Sequence, residues 1–166
     1  MKKLGFLIID MQHAHLEEAE KKVIGRACEY INYVAGMLRA KEHVIIHIQD
    51  IEGMSEAYRE AYQTIPEVPI NEQDIVVTKE FSNSFWQTEL EQKLREKDVE
   101  LLIIAGNAAE HCVLATYNGA NERGFKPVIL QNGIVSAHSE AITATYRDRN
   151  VISHPVISYL VNQLQY

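Results

Sequence analysis

The fold is decided by LLIIAGNAAEHCVLATYNGANERG, residues 101 to 124. Leu101 to Ala105 has the length and composition of a buried strand, and from Val113 apolar and small residues recur at helical spacing as far as Ala120. Cys112 stands where the strand gives way to the helix. The first N–H groups of a helix are unpaired and carry the positive end of its dipole, so this is a position that stabilises a thiolate. Gly124 is placed to close the helix. A small thiol entering a helix is often packing alone, so Cys112 gains chemical meaning only from what is placed around it.

The rest of the chain supplies a compatible frame. Its 166 residues suit one domain spanning 1–166, and 46% hydrophobic with 23% charged residues is ordinary globular composition. A formal charge of −7 without any cluster of Lys and Arg argues against a nucleic-acid or anionic-membrane partner. No apolar run approaches a membrane span, and the run Leu4 to Ile9 behind the initial Met-Lys-Lys is cut short by Asp10, so a cytoplasmic protein is expected. Cys28 and Cys112 read as free thiols.

Leu4 to Ile9 reads as a first strand, unbroken in its apolar character as in sheets covered on both faces. Glu17 to Ala40 carries a helical stripe of Val23, Ala27, Tyr30, Ile31, Val34 and Leu38, with Cys28 beside it. His43 to Ile48 is a second strand leading to Gln49 and Asp50. Ile51 to Gln73 is irregular, with a short helix-like piece from Ser55 to Tyr62, the kind of long connection that serves as a lid or an oligomer contact. Asp74 to Thr78 is a third strand delivering Lys79. Phe81 to Phe85 follows as a loop, then a helix from Trp86 to Lys97, the strand Leu101 to Ala105, a fifth strand Lys126 to Leu130 and a helix Ser139 to Arg147. Val151 to Ser153 reads as a sixth strand and Pro155 to Leu164 as a terminal helix. This alternation predicts a three-layer α/β/α domain around a parallel, Rossmann-like sheet of about six strands. Neither G-x-G-x-x-G after the first strand nor G-x-x-x-x-G-K-[ST] occurs, which weakens nucleotide-binding readings.

In such a sheet, ligands bind beyond the carboxyl ends of the strands, near the point where strand order reverses. Asp10, Lys79 and Cys112 each fall at such an end. Separately, Asp10 could cap a turn, Lys79 could be solvated and Cys112 could be core. Together they make a nucleophile, a base and a cation that helps hold the thiolate.

With LIIDMQ at 7 to 12, VVTKEFSNSF at 76 to 85, IIAGNAAEHCVLAT at 103 to 116 and ERGF at 122 to 125, the chain resembles the isochorismatase-like cysteine hydrolases, relatives of nicotinamidases and N-carbamoylsarcosine amidohydrolase. The resemblance implies an Asp-Lys-Cys triad on Asp10, Lys79 and Cys112 and a sheet order of 3-2-1-4-5-6. It also implies a cis peptide between Asn107 and Ala108, which brings the Ala108 and Cys112 N–H groups together as an oxyanion hole. Two positions depart from the family pattern: Ala109, where relatives often carry Thr, and Asn107, where many are apolar. The Asp-x-His metal set of nicotinamidases is missing, since Asp50 is followed by Ile51 and Glu52, so no catalytic metal and no cofactor are expected. His13 and His15 follow Asp10 closely and could line the pocket or lie on the surface.

The implied activity is hydrolysis of a C–N bond in a small amide-like substrate through a thioester on Cys112. Gln12, Asp50, Phe81, Phe85, Trp86 and Asn107 are candidate pocket residues. The alternative is a non-catalytic small-molecule binding or assembly member of the same fold, for which Asn107 and Ala109 are the support. A homo-oligomer, dimer or tetramer, is expected. Cys112, favoured as thiolate by its helix and by Lys79, is expected to react ahead of Cys28.

Overall fold

The computed structural model describes residues 2–163. Six parallel strands alternate with helices: β1 (Lys3–Ile9), the short α1 (His13–Leu16), α2 (Lys21–Arg39), β2 (Val44–Asp50), a 3₁₀ helix (Glu56–Tyr62), β3 (Ile75–Lys79), α3 (Leu90–Glu96), β4 (Val99–Asn107), α4 (Cys112–Glu122), β5 (Lys126–Val135), α5 (Ser139–Asp148), β6 (Val151–Ile152) and α6 (His154–Gln163). The sheet order is β3-β2-β1-β4-β5-β6, so the direction of winding reverses between β1 and β4.

The all-apolar character of β1 follows from its central place. Phe6 and Ile8 pack with Ala27, Ile31, Val34 and Leu38 of α2 and with Ile157 and Val161 of α6. Leu7 and Ile9 point the other way, into the layer built from Leu90 and Leu94 of α3 and Val113, Tyr117 and Ala120 of α4. Helices thus cover both faces, the three-layer arrangement expected from the sequence. Among the described residues, no helix is long and apolar enough to cross a membrane.

Where elements differ from the sequence reading, side chains account for it. The helix expected from Glu17 starts only at Lys21, because residues 13–16 form a separate turn that buries Leu16 and is tied to β4 by the Asn107 amide donating to the His15 carbonyl at 2.9 Å. The helix expected from Trp86 starts at Leu90. Before it, Phe85 N–H donates to Asn83 Oδ1, the Thr88 hydroxyl donates to the Ser84 carbonyl, and Gln87 has φ 54°, so local side-chain bonds replace the helical ladder. β5 runs past Leu130 to Val135 although Gln131, Asn132 and Gly133 read as a turn. A register shift between Ile104, which pairs with Ile129, and Gly106, which pairs with Ile134, absorbs three extra residues of β5; Asn132 takes φ 63°, and its N–H donates to the Tyr146 hydroxyl at 2.8 Å. The terminal helix begins at His154, and Leu164 lies outside the described residues.

Two glycines hold the decisive stretch in shape. Gly124 has φ 79°, and the Phe125 and Gly124 N–H groups donate to the carbonyls of Ala120 and Asn121 at 3.0 Å each, which closes α4 as a Schellman motif. Gly106 has φ 109°, and a Cβ there would stand 2.1 Å from the Ile9 carbonyl oxygen, so β4 reaches the end of β1 only through a residue without a side chain. Gly106→Ala is therefore expected to cost on the order of 3 kcal/mol in urea unfolding. Gly25→Ala in α2, where an added Cβ meets nothing within 4 Å, should instead stabilise by roughly 0.5 to 1 kcal/mol.

Candidate functional site

Three strand ends meet at one ammonium group. β2 and β3 pair in parallel with Asp50 opposite Lys79, which sets these two side chains next to each other on adjacent strands. Lys79 Nζ lies 2.9 Å from Asp50 Oδ2, 3.0 Å from Asp10 Oδ2 and 3.3 Å from Cys112 Sγ. Asp10 follows β1 directly with φ 50°, a backbone state that Asp tolerates better than most residues, and its N–H donates to the Ile48 carbonyl at 3.0 Å. Cys112 is the first residue of α4. The donor atoms of Asp10, Asp50 and Cys112 lie within 4.8 Å of one another, a cluster of the kind that could hold a cation, and the Lys79 ammonium contacts all three.

Burial decides the electrostatics. The Lys79 side chain is 0% exposed. Burial alone would lower its pKa, but the charges of Asp10 and Cys112 and the contact with Asp50 outweigh it and hold the ammonium above the ordinary lysine value. Burial raises Asp10 above the usual carboxylate range against the pull of Lys79. Burial, reinforced by the Asp10 charge, pushes the Cys112 thiol up to about 12. The residue types favour the thiolate through the helix and Lys79, with Asp10 opposing it and accepting its proton; burial and the Asp10 charge outweigh the pull of Lys79, so the sulfur relies on Asp10 beside it to take its proton. Cys28, on the buried face of α2, is pushed up to about 11 by burial and has no such partner among the described residues.

Beyond the cluster lies a cavity of about 370 Å³ bordered by Asp10, Asp50, Asn107, Ala108, Glu110 and Cys112, among others. The Asn107–Ala108 peptide is cis, as expected. The Ala108 and Cys112 N–H groups have no hydrogen-bond partner among the described residues, whereas the Ala109 N–H between them donates to the Val135 carbonyl at 2.9 Å. Two free amides next to a nucleophilic sulfur can hold a developing oxyanion.

Asp50 and Asn107 thus border the cavity, and the other four candidate pocket residues do not. Gln12 is fully buried behind it: its Oε1 accepts from the Asp50 N–H at 2.9 Å, and its Nε2 donates to the carbonyls of Asp50 and Tyr62. Phe85 is core, stacked on Phe125 with centroids 5.7 Å apart. Phe81 and Trp86 are exposed on the surface. The FSNSF and ERGF segments are therefore structural: Ser84 N–H and Oγ bond Thr116 Oγ1 of α4, and the Arg123 guanidinium covers the Phe85 ring. His15 borders the cavity while His13 is exposed outside it. Glu17, Glu18, His111, Ala137 and His138 also line it, and the sequence reading missed them. The position of His111 beside Cys112 was a usable signal; the places of Ala137 and His138 depend on the unforeseen extension of β5.

The isochorismatase domain model matches residues 5–156. The chain belongs to the isochorismatase domain family. An uncharacterized isochorismatase family protein of Bacillus subtilis is 23% identical over 156 residues, covering 90% of this chain and 83% of its own length. A maleamate amidohydrolase of Pseudomonas putida is 24% identical over 75 residues, 45% of this chain and 35% of the relative. Among solved structures, an isochorismatase-like hydrolase of Alkaliphilus metalliredigens superposes with TM-score 0.82 at 19% identity, covering 98% of this chain and 99% of that one. An N-carbamoylsarcosine amidase of Thermoplasma acidophilum gives 0.77 at 15% identity, with 91% and 95% covered. These likenesses establish the isochorismatase-like fold.

Two consequences of the cluster are measurable. Lys79→Ala leaves Asp10 and Asp50 buried without their cation and should lower unfolding free energy by about 3 to 5 kcal/mol. Asp10→Asn removes the neighbour that can take the thiol proton, so iodoacetamide at about pH 7 should label Cys112 several-fold more slowly than in the unaltered chain; unchanged or faster labelling would show that Asp10 does not serve as the base for this sulfur.

Proposed function

We propose that this member of the isochorismatase domain family is a cysteine hydrolase that cleaves a C–N bond of a small amide-like substrate. The observation that carries the reading is the Lys79 ammonium held 3.0 Å from Asp10 and 3.3 Å from Cys112 at a cavity lined by Ala108 and Cys112, whose backbone N–H groups have no partner among the described residues. Family membership and the amidase and amidohydrolase among the relatives support it.

In this mechanism the substrate carbonyl sits against the Ala108 and Cys112 N–H groups. Asp10 takes the thiol proton as Cys112 Sγ attacks, since a thiol with a pKa pushed up to about 12 needs a base at the moment of bond formation. The oxyanion is held by the two amides. Asp10 then passes the proton to the departing nitrogen, the C–N bond breaks, and a thioester remains on Cys112. Water attacks the thioester, Asp10 accepts its proton and returns it to the sulfur, and the acid leaves. Lys79 keeps Asp10 ionised enough to act as the base, and Asp50 holds Lys79 in place. Asp10, Lys79 and Cys112 supply nucleophile, base and cation, so the mechanism requires no metal.

Asn107 has a structural use in tying down the His15 backbone, so it lends little weight to the rival reading of a non-catalytic binding or assembly protein. Ammonia release from a panel of primary amides and carbamoylated amines is the direct test. Cys112→Ala and Asp10→Asn should each lower kcat/KM by about 10³-fold or more, and chelators should leave activity unchanged. On the acid side, kcat/KM should rise as Asp10 loses its proton, with the limb above the usual carboxylate range because its pKa is raised. No turnover across the panel would favour the binding reading.

A further inference from the structure

The two amides assigned to the oxyanion lie on one short turn, so the reaction depends on what keeps that turn in place. The chain leaves the sheet after Asn107, which still pairs with Val135 of β5, and re-enters regular structure at Cys112, the first residue of α4. Within the turn the Ala108 carbonyl accepts from the His111 and Val113 N–H groups at 3.0 and 3.1 Å. These bonds fix the shape of the turn. They do not fix where it stands relative to Asp10, which follows a different strand.

Two contacts reach from the turn to the end of β5. In one, the Ala109 N–H donates to the Val135 carbonyl at 2.9 Å. The other is made by the Glu110 side chain: its Oε1 accepts from Ser136 Oγ at 2.9 Å, and the same Oγ, on a residue 3% exposed, accepts from the His138 N–H at 2.9 Å. A single bond to Val135 leaves the turn free to pivot about it, and the second removes that freedom. A carboxylate suits this task, because charge-assisted hydrogen bonds are roughly twice as strong as neutral ones. Oε1 also lies 4.0 Å from His111 Nε2, but that side chain is 71% exposed and water screens the attraction.

The second oxygen adds to the hold. Glu110 Oε2 is buried without a hydrogen-bond partner among the described residues, and so is Arg149 Nε. Both residues border a space of about 120 Å³ at the end of α5. Asp148 borders it as well, but its carboxylate accepts from Arg147 at 2.7 and 2.9 Å. Glu110 and Arg149 therefore stand as opposite charges across one small space, and their attraction helps keep the Glu110 side chain where Ser136 meets it.

We propose that Glu110 is a positioning residue for Cys112: through Ser136 it pins the turn 108–112 to the end of β5, which keeps the sulfur beside Asp10 and the Ala108 and Cys112 N–H groups beside the sulfur. The oxyanion part of this role rests on the hydrolase reading; the placement of the sulfur can be read without turnover.

The readout is labelling of Cys112 in the full-length chain by iodoacetamide at about pH 7, followed by peptide mass mapping, since the thiol needs Asp10 in reach to lose its proton. Glu110→Ala and Ser136→Ala should each slow labelling by about five- to tenfold, because small displacements of a reacting group are costly. The double variant should be no slower than the slower single, since both changes cut the same link. Glu110→Gln keeps an acceptor for Ser136 and should bring the rate back to within about twofold of the unaltered chain. Urea unfolding of each variant separates placement from stability: lower stability with an unchanged labelling rate would make the contact structural only and overturn the proposal. Faster labelling in Glu110→Ala, additive effects in the double variant, or no rescue by Glu110→Gln would overturn it too. In parallel, on any amide of the panel that is hydrolysed, Glu110→Ala should lower kcat by about tenfold or more and leave KM within about twofold, because the oxyanion forms only in the transition state. A raised KM with kcat unchanged would overturn the positioning role. The expected labelling pattern with no amide hydrolysed would support the placement of the sulfur and count against the hydrolase reading alone.

Discussion

One buried ammonium organises this protein. Lys79 Nζ is surrounded by acceptors from the ends of β1 and β2 and the start of α4, and it reaches them because β3 pairs with β2 in a register that sets Lys79 beside Asp50. A charge so far from water persists only where paired charges and hydrogen bonds offset its desolvation. The cluster is thus a constraint on the fold as well as a site: three strand ends and a helix start must agree in position for the lysine to be tolerated.

That constraint explains why the cysteine is not a free-standing thiolate. From residue types alone, the helix N-terminus and Lys79 favour the thiolate while Asp10 opposes it and accepts its proton. With Asp10 and Asp50 on the same ammonium, burial and the Asp10 charge hold the thiol above its ordinary range. Reactivity then depends on transfer of a proton between two neighbours, not on a standing charge.

The sheet and the Asp10, Lys79, Cys112 cluster were legible because each rests on short-range pattern: apolar runs of strand length, a polar residue at the end of each, and a glycine where β4 passes Ile9. Asp50 was named as a pocket residue, but its partnership with Lys79 depends on strand register, which residue spacing does not give. The aromatic residues Phe81, Phe85 and Trp86 were misplaced because hydrophobicity alone does not separate a pocket wall from a core stack or a surface contact. Glu110, Ala137 and His138 were missed because the wall they form depends on a β5 that continues through residues whose local preference is to turn. Helix starts were misjudged wherever Asn83, Thr88 or Asn107 bonded to backbone.

Gln12 joins two regions usually considered apart. One amide side chain grips the backbone of Asp50 at both its N–H and its carbonyl and also takes the carbonyl of Tyr62, the last residue of the 3₁₀ segment. The segment that follows β2 is thereby fastened to the same peptide unit that positions the lysine's second carboxylate. Any outward swing of that segment must either break the Tyr62 bond or drag Asp50 with it. The anchoring of the rim segment and the placement of the lysine's second carboxylate thus share one side-chain amide.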